Sequence, residues 1–204
     1  MAAAIDREEY SEFIRRVREG DDRAAEELVR RYEPEIRMEV RGWLRLRDPR
    51  LRRVFDSTDI CQSVLAQFFV RAAIGEFDLD EPTQLIRLLV GMARNKLSEE
   101  VRHHHRQRRD LRRVGPGGPD GEPIEVAATR EETPSQVVSR RELLQMARSR
   151  LSDEERQLAE LRRLGSDWAA VAAAMGGTPE GRRKQLARAI ARVEEELGLD
   201  SIQG

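Results

Sequence analysis

The chain has 204 residues, 37% of them charged and only 4% aromatic, with a formal net charge of −1. That length accommodates one large or two small domains, and a composition dominated by Arg, Glu, Ala and Leu predicts helices. No apolar run approaches the length of a membrane span and no basic-apolar-small pattern opens the chain, so membrane insertion and a signal peptide are excluded and a cytoplasmic protein is expected. The single Cys61 excludes an internal disulfide and a multi-cysteine metal site, and is read as a small buried hydrophobe.

Asp6 reads as an N-cap with Glu9 at N3, and Tyr10, Phe13, Ile14 and Val17 follow at helical spacing until Gly20. Asp22 opens a longer helix through Leu28, Val29, Tyr32, Ile36, Val40 and Trp43, in which Pro34 is expected to kink or split the helix and Asp48-Pro49 to end it. Asp56 and Asp59 start a third helix whose rows Ile60, Val64, Phe68, Ala72 and Cys61, Leu65, Phe69 predict a broad buried stripe, closed by Gly75. An acidic loop, residues 76 to 82, leads to a fourth helix from Pro82 to Arg109. There Ile86, Leu89, Val90, Ala93, Leu97 and Val101 predict the buried face.

Charge is unevenly spread. From Thr83 to Val114 nine basic residues face three acids, a local excess that attracts a polyanion. His103, His104 and His105 point about 100° apart on a helix and cannot converge on one ion, so no metal site is expected. After Val114 the composition turns to Gly, Pro and acids with no period, which predicts a flexible anionic linker over 115–135 between a first domain, 1–114, and a second, 136–204.

In the second domain Ser135 or Gln136 opens a helix with Val137, Leu144, Ala147 and Leu151 on one side. Ser152 with Glu155 is a capping box, Gly165 closes the helix that follows, and Ser166 caps a short one, DWAAVAAAM. Gly176-Gly177 then turn the chain, Thr178 caps, Pro179 sits at N1, and Leu186, Ile190, Val193 and Leu197 mark the buried side of a last helix. Two helices joined by such a turn form a helix-turn-helix. The second of them carries Arg182, Arg183, Lys184, Arg188 and Arg192 against Glu180, the chemistry that contacts guanine edges and phosphate in a major groove. Trp168 and Met175 are read as packing residues. No nucleotide-loop, zinc-protease or nucleophile-elbow motif is present, which argues against an enzyme and against a cofactor.

The order of these motifs carries a resemblance. A D-x-x-D-[IV]-x-Q helix (Asp56, Asp59, Ile60, Gln62, with Val64 and Phe68), then Met92-Ala93-Arg94-Asn95-Lys96-Leu97 with an Arg-rich tail, a linker, Leu151 through Arg156, and a helix-turn-helix over Thr178 to Ala189 resemble the bacterial RNA polymerase sigma factors of the extracytoplasmic-function (ECF) type. About three quarters of the chain is covered, and the set is similar to members from planctomycete-like bacteria. The resemblance implies an all-α protein of two small domains that is not an enzyme, with core RNA polymerase and promoter DNA as partners and an anti-sigma factor as a further one. It implies core polymerase binding through Asp56, Asp59, Gln62 and Ser63, and reading of the start-proximal (−10) element by Phe77, Arg94, Asn95, Lys96, Arg102 and Arg106. The start-distal (−35) element falls to Thr178, Arg182, Arg183, Lys184, Gln185 and Arg188. This sequence departs from the family at Ser63, where an acid is common, and at Arg182, where an apolar residue is common. It also has no aromatic residue from Pro82 to Arg109, so Phe77 is the nearest stacking candidate. A two-domain DNA-binding regulator working without polymerase would also explain both basic helices, but not the polymerase-type third helix.

Overall fold

The structure, a computed structural model, describes residues 7–47, 55–113 and 140–199, and these form eight α-helices. In chain order they are α1 Arg7–Glu19, α2 Asp22–Arg47, α3 Ser57–Ile74, α4 Pro82–Arg113, α5 Arg140–Ser149, α6 Asp153–Arg163, α7 Trp168–Met175 and α8 Pro179–Glu196. The expected cap at Asp6, the break at Asp48-Pro49, the 115–135 linker and the helix start at Ser135 or Gln136 with Val137 lie outside the described residues.

Local chemistry sets most of the boundaries. The Asp56 carboxylate accepts from the Thr58 amide at 2.9 Å and starts α3. Ser152 and Glu155 complete a reciprocal capping box at α6. Thr178 caps α8 with Pro179 at N1, where a missing N–H costs nothing. The cap of α7 is Asp167, one residue beyond the expected Ser166, because its carboxylate reaches the Ala170 amide at 2.7 Å. Two other readings are corrected. Pro34 does not divide α2, which runs as one helix of 26 residues, and the Cys61 thiol donates to the carbonyl of Glu33 beside it. The buried row of α4 is Leu85, Leu89, Ala93, Leu97 and Val101, whereas Ile86 and Val90 are only half-buried.

The core is organised around α3. Thirteen of its 18 residues are buried, so apolar groups face nearly all round, and a helix of that kind must be enclosed on every side. It packs against α1, α2 and α4, and on its remaining side against α5, α6 and the end of α8. Phe68 at its middle is fully buried, which contributes about 1.5–3 kcal/mol from that side chain alone. Cys61 is likewise enclosed, and burial pushes its thiol up to about 12. One hydrophobic core therefore runs through both helical parts.

Gly75 ends α3 in the left-handed region, with φ +83°. A Cβ there would stand 2.8 Å from Arg162 Cβ and 2.9 Å from the Arg163 amide nitrogen, so the absence of a side chain is also what lets α6 approach.

Glu76, next along, lies 3.7 Å from Arg71. Burial raises its carboxyl above the usual range, Arg71 opposes that and Glu194 adds to it. Because the folded value is the higher one, the associated stability is fully present below the ordinary glutamate value and is lost as pH rises through the folded value. Glu76→Gln is therefore expected to equal wild type near about pH 4 and to be the more stable protein at about pH 8, read as the difference between their denaturation midpoints. A difference that did not grow with pH would mean that the carboxylate is held charged.

Candidate polymerase and promoter DNA interfaces

Among the residues expected to meet polymerase, Asp56 and Gln62 are exposed and Asp59 half-buried, all within the first two turns of α3. Ser63 is not with them. It is 8% exposed, because α3 is covered on that side, and this corrects its assignment to an accessible surface. Asp59 sits in the first turn, where a carboxylate complements the positive end of the helix.

On α4 the structure separates the basic residues. Asn95, Arg102 and Arg106 are exposed and follow at spacings of seven and four, so they form one stripe opposite the buried row. Arg94 is exposed beside it, with its guanidinium 4.4 Å from the centre of the Trp43 ring and 3.9 Å from the Glu39 carboxylate. Lys96 lies on the other side. Its side chain is 2% exposed, 3.9 Å from Glu100, and its ammonium donates to the carbonyl of Leu199 at 3.4 Å. It is thus turned away from the exposed stripe in which the sequence-based expectation had placed it. Phe77 is similarly engaged, stacked on Phe68 with ring centres 5.9 Å apart, while its carbonyl accepts from Arg18 at 2.8 Å. His103 and His105 are exposed, and His104 stands edge-on to Phe55.

On α8 the basic residues divide again. Arg183, Lys184 and Arg188 are exposed. Glu180, one turn earlier, pairs with Arg183 at 2.9 Å and with Lys184 at 3.5 Å; these are solvent-exposed contacts worth little. The Arg183 and Lys184 charges hold the Glu180 carboxyl below its usual range, Arg183 first. A phosphate can take over either partner.

Arg182 points inward, and its expected contact with DNA is corrected. Only 14% of the side chain is exposed, since it falls in the register of the apolar row. Its guanidinium donates to the Met175 and Gly176 carbonyls at 2.5 and 2.9 Å, to Glu154 at 2.5 Å and to Gln185 at 2.7 Å. It thereby clasps the turn between α7 and α8 to the start of α6. Gln185 is half-buried in that clasp, and the Glu154 carboxyl is pulled down by Arg182 and then by Gln185. Arg182 and Gln185 are thus turned toward the turn rather than outward, while Glu154 keeps an exposed position. Thr178 caps α8 by accepting from the Gly181 amide and is itself exposed.

Sequence reading gave no sign of the polar groups that join the two helical parts. Arg71 donates through Nε and Nη2 to the two Glu194 oxygens, both at 2.7 Å, and Gln67 donates to the Leu199 carbonyl at 2.8 Å. Arg162 pairs with Asp78 at 2.5 Å and lies 4.3 Å from the centre of the Trp168 ring; Arg163 reaches Glu19 at 3.3 Å and Arg148 the Arg18 carbonyl at 3.2 Å. The one available signal was the near absence of a polar side on α3.

The family model described as ECF sigma factor matches residues 7–198 of the chain. No curated protein and no solved structure matches it.

Proposed function

The chain belongs to the ECF sigma factor family, and from that premise we propose how its parts divide the work of starting transcription. A sigma factor of this family is a non-enzymatic initiation factor that recognises promoters together with core RNA polymerase. The N-terminal part, residues 1–114, holds polymerase with the exposed end of α3, Asp56, Asp59 and Gln62, and reads the −10 element with α4. The C-terminal part, residues 136–204, reads the −35 element with α8, and 115–135 links them.

One observation carries the division. Two exposed basic stripes stand on two separate helices, Asn95, Arg102 and Arg106 on α4 and Arg183, Lys184 and Arg188 on the second helix of a helix-turn-helix. The α8 stripe is suited to a duplex groove, whereas an amide set among arginines on α4 is suited to a displaced strand and an unstacked base. Closeness to planctomycete-like members rests on the motifs already quoted. An anti-sigma factor that masks the α3 surface and a cytoplasmic location complete the reading, and no helix among the described residues is long and apolar enough to cross a membrane.

Reconstitution with core polymerase and transcript mapping on genomic DNA tests the whole proposal; discrete start sites that depend on the protein are expected, and none would end it. The α4 assignment has its own test. Asn95→Ala is expected to spare binding to duplex promoters and to impair opening, with a pre-melted bubble template recovering most of the lost transcripts. Normal permanganate reactivity on duplex promoters with this variant would remove α4 from the melting step.

A further inference from the structure

Resting on the reading of the −10 element by α4, we propose that Trp43 of α2, with the Arg94 guanidinium over its ring, is the platform that holds an unstacked base of the displaced promoter strand. Trp43 acts there through Arg94, as a positioning residue.

A base that leaves the duplex gives up its stacking and needs another flat group to lie on, and aromatic rings and arginine planes are what a protein can supply. The promoter-reading helix has no ring of its own. No aromatic residue occurs from Pro82 to Arg109, and every other aromatic residue of the N-terminal part is buried or, like Phe77 on Phe68 and Phe55 beside His104, already set against another ring. Trp43 remains. It is half-buried at the edge of α2 that meets α4, and the guanidinium of Arg94, the neighbour of Asn95 in the chain, lies 4.4 Å from the centre of its ring.

The surroundings favour a base over a phosphate. Glu39, one turn before Trp43, sets its carboxylate 3.9 Å from Arg94, so the two charges offset each other and the guanidinium offers its plane more than its charge. Both side chains are about half exposed, which keeps the pair weak and the guanidinium accessible. Leu46, three residues after Trp43 and 86% exposed, extends the same edge of α2 with an apolar side chain. The backbone leaves room as well. Gly42 adjoins Trp43, and Gly91 lies three residues before Arg94 and four before Asn95, on their face of α4. A Cβ on either glycine would meet nothing within 4 Å among the described residues, so packing inside the chain does not call for them, although glycine weakens a helix interior. What they leave beside the platform is bare backbone, where a strand can approach closely.

Binding of the reconstituted holoenzyme to a single-stranded non-template oligonucleotide that spans a mapped −10 element, and to the same strand with one base removed at each position in turn, reads the platform. Trp43→Leu keeps apolar bulk without a ring face, and Arg94→Lys keeps the charge without a plane. Each is expected to bind the intact strand about tenfold more weakly at an unchanged salt slope, while Trp43→Phe stays within about threefold of wild type. One position should stand apart. Removing that base weakens the wild type about tenfold and the two variants hardly further, because the interaction it would report is already gone. A folded Trp43→Leu of wild-type affinity, or an abasic series that weakens variants and wild type alike, overturns the proposal. Wild-type affinity in Arg94→Lys overturns it too, since Arg94 would then be a cation for phosphate, as does weaker binding of Trp43→Leu to core enzyme alone, which would make Trp43 part of the polymerase seat. Should Trp43→Leu lose helix by circular dichroism, the exposed Arg94→Lys decides in its place. A protein that starts no transcripts fails the functional reading and takes this inference with it, whereas transcription by the wild type with both variants unimpaired fails the inference alone.

Discussion

Asp59→Arg is expected to abolish co-purification with core RNA polymerase, the largest functional loss foreseen for any single residue. The side chain stands half-buried in the first turn of α3, close to the Asp56 cap and Gln62. Reversing a charge where two surfaces exclude water costs about 2–5 kcal/mol, a weakening of thirty-fold or more. The fold itself should change little. A carboxylate in the first turn gains about 0.3–1 kcal/mol from the helix dipole, so the variant loses that amount and some repulsion is added. Asp59→Asn separates the two effects: it gives up the same dipole term without introducing a positive charge, and should retain part of the polymerase affinity. Titration against labelled core enzyme measures both, and a wild-type Kd for Asp59→Arg would place the polymerase seat elsewhere on the molecule.

What the sequence made legible was set by how local the deciding interaction is. Asp56, Ser152 with Glu155, and Thr178 with Pro179 cap their helices through groups within three residues, so reading them needs no knowledge of the fold. The rotation of α4 is different. Apolar residues occupy two neighbouring rows, Leu85 and Leu89 beside Ile86 and Val90, and periodicity alone cannot choose between them; packing against α2 and α3 does. Lys96 illustrates the same limit at a site. A lysine among arginines reads as part of the basic stripe, and the Leu199 carbonyl that accepts from it, 103 residues away in sequence, is a partner that no local pattern announces. Pro34 failed as a breaker because α2 is held along its length by α1, α3 and α4, which outweighs one lost backbone hydrogen bond.

On the α7–α8 turn, Arg182→Ala and Arg183→Ala are expected to weaken −35 binding in ways that can be told apart. Arg182 is the donor for two turn carbonyls, Glu154 and Gln185, and truncation leaves four acceptors without it. The cost should be about 2–4 kcal/mol of stability, and the loosened turn lets α8 tilt against the rest of the helix-turn-helix. Binding then falls by a similar factor on every −35 sequence, together with Tm. Arg183 is exposed and its pairing with Glu180 contributes little, so its removal should leave Tm within the range of ordinary surface changes. If its guanidinium meets a guanine edge, the loss is about 1–3 kcal/mol at one position and nearly nothing at the others; if it meets phosphate, affinity drops evenly and the salt slope falls by about one. A library of −35 duplexes titrated with both variants at two salt concentrations reads all of these quantities. Sequence-selective loss with Arg182→Ala at unchanged Tm would show that Arg182 leaves its clasp to read DNA itself, and a Tm loss with Arg183→Ala would show that the exposed stripe of α8 is structural.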